Sequence, residues 1–378
     1  MSICAYCGYE KNHDEFSQEH VVPRAMGGNL HPINPFSLNT VCKRCNSLSG
    51  SFIDGQYIRS WFTQNGKNRY FMKYIDITQN PVLPLNYMGL LPDISLGDKI
   101  CEFWLGPTGD TIYHFHEPYP ESIDVAPMVG VPTFAKKKEI DPGFAFLFVR
   151  SNNPVWYASI FHSFIEQFKQ AELYWGNGPT PKGYFSDIPE AYGELHTKLK
   201  SLNGEYHKVS VPLGVNYGDR FLVKLALGLG TIFLNESFVD SDSARNLRSF
   251  LWAKEQKMRE KIDIRGQSFL SGRDDLKTVL NWDQGHVIGF INDNNSLSLH
   301  VNFFSSQDAT IEISSEPEHW KGKFDNLGTI YLVCPGLQKY AGPIALENFI
   351  AHKQGFHNKE IRDLEVALEE YALPPFDI

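Results

Sequence analysis

Cysteine is scarce in this chain, with six in 378 residues. That excludes the cysteine-dense frameworks of small secreted domains. Long apolar runs are missing too: the longest, Phe221 to Leu234, is interrupted by Lys224 and is too short to span a bilayer. Positive charge is in deficit, with 35 Lys and Arg against 44 Asp and Glu, a net charge of −9. An acidic balance is unusual for a protein that acts on nucleic acid. There is no internal repeat and no low-complexity tract. Gly228-Leu229-Gly230 is not a phosphate loop, because it lies in a helical pattern with no Gly-Lys-Ser/Thr sequence. Met1 leads almost directly into Cys4 without a signal-peptide pattern, so a reducing cytoplasm is the expected setting.

What cysteine there is lies in one place. Cys4, Cys7, Cys42 and Cys45 form two Cys-x-x-C pairs within the first 45 residues. Two such pairs can close round one tetrahedral ion as a structural Cys4 zinc site. A redox Cys-x-x-C would sit beside a βαβ pattern, and none is visible here. Cys101 and Cys334 are isolated and are expected to be buried apolar residues.

The paired cysteines bracket Glu-His at Glu19-His20, and Asn46 follows the last cysteine directly. A carboxylate and a carboxamide oxygen suit a hard cation such as Mg2+ or Mn2+. The adjacent imidazole can take a proton from water near neutral pH. Those are the parts needed to hydrolyse a phosphodiester with one metal ion.

The segment E-H-V-V-P-R-A-M-G-G, followed by V-C-K-R-C-N-S-L-S-G-S-F-I-D, resembles an HNH endonuclease, the ββα-metal nuclease fold with a zinc knuckle. More narrowly, it is similar to stand-alone bacterial members. The resemblance implies that Glu19 and Asn46 hold a catalytic divalent metal and that His20 is the general base. The family's middle asparagine orients the histidine loop, often from five residues before the third cysteine. Ser37 stands there, and Asn39 is the nearest substitute. The resemblance also implies double-stranded DNA as substrate and Arg24, Lys43 and Arg44 as phosphate contacts. Proteins of this kind often serve as effectors of bacterial anti-phage defence with partner proteins, a Zorya-type system being one possible home. The alternative is a non-catalytic zinc-knuckle module that binds nucleic acid or protein.

Residues 1–73 carry a balance of +3, leaving −12 for the rest. The fold class expected is α+β: a zinc-bound ββα-metal head over 1–65, then a larger mixed body, divided at 66–210 and 211–378. A helix is expected from Asn46 to about Phe62, a connector over 65–87, and a hairpin from Lys99 to His116 turning at Gly106–Asp110. His114 and His116 share a strand face, but two histidines without a third ligand are expected to be surface residues. Pro154 opens a helix, 209–215 reads as a strand, and a second apolar helix runs from about Arg220 to Asn235. The next helix, to about Ile262, is the most basic of the body and a second candidate nucleic-acid surface. Lys136-Lys137-Lys138 is a solvated loop. Antiparallel strands follow Gly285, and a helix from Lys359 ends at Pro374-Pro375.

Overall fold

The structure is a computed structural model. It describes every residue except 80, 119–140, 178–182, 211–214, 235, 263–264, 268, 270–277, 294, 325 and 373–378, and the backbone alone of 215–217 and 267. The Lys136–Lys138 run, Pro374-Pro375 and most of the expected strand at 209–215 lie outside the described residues; Ser210 makes a bridge to Leu90. The chain forms two compact units, Met1–Tyr70 with Gly214–Ala372, and Phe71–Leu213 with Leu373–Ile378. The breaks at 70/71 and 213/214 lie a few residues beyond the expected 65/66 and 210/211, and the first and last segments share one unit.

The chain opens with a short pair, β1 (Ser2–Ile3) and β2 (Glu10–Lys11), which carries the first cysteines on its turn. A hairpin follows, β3 (Phe16–His20) with β4 (Ser37–Cys42), antiparallel with a register shift between Ser17 and Glu19. The helix after β4 starts earlier than the apolar spacing suggests. α1 spans Lys43–Ser49, continues through a π turn at Gly50–Asp54, and resumes as α2 (Gly55–Ile58). A π turn widens the helix by one residue, and here Ile53 and Asp54 are both buried. α3 (Trp61–Phe71) replaces part of the expected connector.

The second unit is a five-stranded sheet in the order β5 (Asn86–Leu96), β6 (Lys99–Leu105), β7 (Thr111–His116), β8 (Phe144–Phe148), β9 (Glu172–Trp175). Only β8 and β9 run parallel, and α4 (Pro154–Phe168) connects them. Asn153 caps α4 by accepting from Val155 N, and Pro154 takes the first helical position, where a missing N–H costs nothing. One face of the sheet packs Phe103, Tyr113, Phe146 and Tyr174 with Leu195 and Leu199 of α5 (Gly193–Leu202). On the other face Phe168 of α4 lies against Trp104 and His114.

The rest of the first unit is organised on α6 (Val215–Phe233), whose residues 221–230 are buried on every side. A helix apolar all round must be covered all round. One side meets the antiparallel sheet β10 (Gly266–Gln267), β11 (His286–Asn292), β12 (Leu297–Phe303), β13 (Gln307–Ser314), β14 (Gly328–Cys334), β15 (Lys339–Ala345), in the order β10-β13-β12-β11-β14-β15. Phe221 packs on Phe303, and Phe233 on Phe290 and Tyr331. The other side meets the N-terminal segment. A Cβ on Gly228 would lie 2.6 Å from the Val21 side chain, so glycine permits that approach. α7 (Asp242–Trp252), α8 (Gln256–Arg259), α9 (Leu346–Lys353) and α10 (Lys359–Tyr371) complete the unit. The fold is α+β, with mixed helices and sheets behind the cysteine-rich N-terminus. No helix among the described residues is long and apolar enough to cross a membrane.

Candidate metal centre and nuclease site

The four expected cysteines converge: one sulfur from each of Cys4, Cys7, Cys42 and Cys45 lies within 4.8 Å of every other. A tetrahedral zinc with Zn–S near 2.3 Å sets its sulfurs about 3.8 Å apart, so the quartet fits that ion. The fold favours a thiolate at Cys4: the Cys42 N–H donates to Cys4 Sγ at 3.3 Å, and the Cys45 thiol, itself held above its ordinary value, donates to Cys4 and holds that thiol well below its own. The turn between β1 and β2 supplies one pair, and the β4–α1 junction supplies the other.

Glu19 lies on β3 and is buried. Its Oε1 is 2.7 Å from Lys224 Nζ and accepts from the Tyr6 hydroxyl at 3.2 Å; among the described residues nothing donates to Oε2. Lys224, from the middle of α6, is 0% exposed. It also donates to Asp54 Oδ2 at 2.8 Å and to the Val21 carbonyl at 3.2 Å. Burial alone would push this ammonium down, but Asp54 and Glu19 outweigh it and hold it above its ordinary value. Asp54 is pushed up to about 6 by burial against the opposing pull of Lys224, and its Oδ1 is buried without a partner. The expected metal-ligating carboxylate is therefore one arm of a buried Glu–Lys–Asp cluster.

His20 ends β3. Its Nδ1 lies 3.1 Å from Asn34 Nδ2. The Asn34 amide is oriented by the backbone: Oδ1 accepts from Phe36 N at 3.0 Å, and Nδ2 donates to the Gly28 carbonyl at 2.7 Å. With the amide so oriented its NH2 donates, so Nδ1 accepts through its lone pair and the neutral ring carries its proton on Nε2. Nε2 is buried with no hydrogen-bond partner among the described residues. Burial, aided by the Arg24 guanidinium, holds the ring below the usual histidine value, so it is neutral at neutral pH. The asparagine at His20 is Asn34, eight residues before Cys42, and the expected Asn39 is exposed on β4.

Asn46 sits on the first turn of α1. Its Nδ2 donates to Ser17 Oγ at 3.0 Å and to the Gln18 carbonyl at 2.9 Å, which pins α1 to the strand bearing Glu19 and His20. Among the described residues nothing donates to its Oδ1. The two open atoms of the expected ligand pair, Glu19 Oε2 and Asn46 Oδ1, are both oxygens, the donor type a hard divalent cation takes. Arg24, Lys43 and Arg44 are exposed. Lys43 and Arg44 line a cleft of about 820 Å3 beside the cysteines, with Lys11, Asp14 and Arg248 also on its wall. The basic helix is not simply a solvated face, because Arg248 is buried and donates to the carbonyls of Ala5 and Val239.

A hairpin joined to a helix, with a cysteine quartet at the junction, is the frame of a zinc-braced ββα unit. Residues 4–62 match the family model for HNH endonuclease, and the N-terminus of the chain is an HNH nuclease-type domain. That match covers about one sixth of the chain. No curated protein and no solved structure matches the chain.

Reading the sequence missed three residues of this site. Asn34 carries a signal only in the Asn-Pro step that turns the loop. Asp54 lies in the motif without an assigned role. Lys224 announces itself as the one charge in the apolar run from Phe221 to Leu234.

Proposed function

We propose that the chain is a metal-dependent endonuclease that hydrolyses phosphodiester bonds of double-stranded DNA. The carrying observation is the match of residues 4–62 to the HNH endonuclease family with His20 held beside Asn34 in the cysteine-braced hairpin. The Cys4 quartet would hold a structural zinc. Glu19 and Asn46 would hold Mg2+ or Mn2+, which when bound neutralises charge on the phosphate and the leaving oxygen. His20, in the tautomer that leaves Nε2 its lone pair, takes the proton from water. Lys224 and Tyr6 fix the Glu19 carboxylate through Oε1, which leaves Oε2 for the ion. Arg24, Lys43 and Arg44 grip phosphates, as exposed cations at such a site do. A role in anti-phage defence, with partner proteins, belongs to this proposal and rests on the resemblance to stand-alone bacterial HNH proteins.

The test is conversion of supercoiled plasmid by the full chain with Mg2+ or Mn2+. Relaxed circles are expected first, because one site cuts one strand at a time, and His20→Ala, Glu19→Gln and Asn46→Ala each lose most of the activity. If His20→Ala cuts as well as the unaltered chain, the role given to His20 is wrong. For defence, cells expressing the unaltered chain should lower phage plating, and cells expressing His20→Ala should not.

A second reading is a zinc-knuckle module that binds without cutting. The burial of His20 Nε2 and the pairing of Glu19 with Lys224 favour it. Gel shifts that survive chelation, with no cleavage under any divalent ion, would establish this reading over the first.

A further inference from the structure

The hairpin of the second unit brings a carboxylate to the two histidines that share a strand face. Glu102 on β6 stands directly opposite His114 on β7, with His116 two residues along on the same face. All three are buried, Glu102 completely, which corrects the expectation of surface histidines. His114 Nδ1 lies 3.3 Å from Glu102 Oε2, and His116 Nε2 lies 3.5 Å from Oε1. One ligand atom from each residue falls within 4.8 Å of the others.

The far side of each ring decides what these distances mean. His114 Nε2 lies 2.9 Å from the Pro142 carbonyl, and His116 Nδ1 lies 2.7 Å from the Glu117 carbonyl. A carbonyl only accepts, so both of those nitrogens carry protons. In neutral rings the nitrogens facing Glu102 then present lone pairs to an anionic carboxylate in a dry site. Something positive belongs between them. Protons would draw the pairs together, because a charge-assisted N–H···O bond is about 2.7–2.9 Å long. The observed separations are longer. They match the edge of a tetrahedron round a zinc-like ion, about 3.3–3.4 Å for ligand bonds of about 2.0–2.1 Å. Imidazoles whose second N–H is anchored on a carbonyl are the usual orientation for metal-bound histidine. The Trp104 indole N–H also supports the carboxylate, donating to Oε2 at 3.3 Å.

We propose that Glu102, His114 and His116 form a second metal site, for a divalent transition-metal ion of the zinc class, independent of the nuclease site. Two imidazoles select such an ion over Mg2+ or Ca2+. Buried beneath Phe168 of α4, the site is structural: it ties β6 to β7 and stabilises the second unit.

The experiment uses the full chain, stripped with chelator and titrated with Co2+ and then Zn2+. Two equivalents are expected. One carries the intense near-ultraviolet thiolate absorption of the Cys4 quartet; the other carries only the weak visible bands of a nitrogen and oxygen site. His116→Gln and Glu102→Gln should each lose one equivalent, keep the thiolate band, and abolish part of the metal-dependent rise in melting temperature. A single equivalent in the unaltered chain, all of it thiolate-bound, overturns the proposal whether or not either variant folds. So does a metal content in folded Glu102→Gln and His116→Gln equal to that of the unaltered chain. Neither result bears on cleavage of DNA, and loss of nuclease activity would leave the site in place.

Discussion

Replacing Lys224 by methionine isolates the ammonium that sits between two buried carboxylates. Methionine keeps most of the volume and apolar contact of the lysine stem and removes only the cation. Glu19 and Asp54 then remain buried with no charge between them. Removing one partner of a buried ion pair typically costs about 3–5 kcal/mol, and here two carboxylates lose the same partner. The pH dependence has a definite sign. Asp54 already has a folded value of about 6 against 3.8 for the free group, so the native state binds its proton more tightly than the unfolded chain does. Its contribution to stability is full below 3.8 and is lost as pH rises through about 6, a swing of about 3 kcal/mol. Without Lys224, which pulls the value down, the window extends upward. Lys224→Met should therefore be destabilised by about 3–5 kcal/mol at pH 8, and by less at pH 5.5, where a carboxylate takes up a proton. The assay is urea unfolding of the cobalt-substituted chain, followed by loss of the thiolate absorption, which reports on the unit that holds the cysteines. Lys224→Met/Asp54→Asn should recover much of the loss at pH 8. A single variant as stable as the unaltered chain at pH 8, or one equally destabilised at both pH values, would refute the reasoning.

Asn34→Asp should raise the pKa of His20, because a carboxylate beside the ring favours imidazolium. The acid limb of the nicking rate, expected below pH 6.5 in the unaltered chain because burial holds His20 down, should then move up by about one unit or more; an unmoved limb would separate His20 from the titration. Cys42→Ser/Cys45→Ser should lose the thiolate-bound metal and, with it, several kcal/mol of stability. Limited proteolysis within residues 1–62 checks this, and a chain that stays resistant contradicts a structural role for the quartet.

What could be read from the sequence was what is local. The cysteine quartet and the Glu-His step sit within 45 residues, and chain connectivity nearly dictates their proximity. The HNH match has the same origin. The strands after Gly285 and the helices at Pro154 and Lys359 followed from alternation, caps and apolar stripes, signals that do not depend on distant partners. Asn34 was missed because the family spacing counts back from the cysteine, whereas Pro32 and Pro35 set a different path for this loop. Glu102 was within reach. Once the turn is centred on Thr108, residues equidistant from it pair across the hairpin, and Glu102 faces His114. Lys224 was beyond reach, because nothing local says which carboxylates a buried ammonium will meet some 170 to 205 residues away.

The same long-range contacts explain why a cysteine-braced segment of about sixty residues comes attached to so much more chain. Ala5, Tyr6 and Val21 lie buried in irregular backbone and Met26 ends a short 3-10 turn, so no ladder satisfies their carbonyls. Each carbonyl instead accepts from a side chain beyond residue 214: Arg248 Nε at 2.8 Å, Trp252 Nε1 at 2.7 Å, Lys224 Nζ at 3.2 Å and His286 Nε2 at 2.8 Å. His286 can serve only as a neutral ring, since its Nδ1 accepts from Phe304 N, and burial holds it down to about 4. Phe36, in the loop between β3 and β4, packs on Phe233, Tyr331 and Tyr340. A buried carbonyl left without a donor costs about 1–3 kcal/mol, so four of them rival the whole stability of an ordinary domain, about 5–15 kcal/mol. A metal ion would fix where the four sulfurs stand, but it would not satisfy those carbonyls or cover Phe36. The loops that carry His20 and its asparagine are therefore held in shape by α6, α7 and the six-stranded sheet, and a change in the position of α6 reaches Glu19 directly through Lys224.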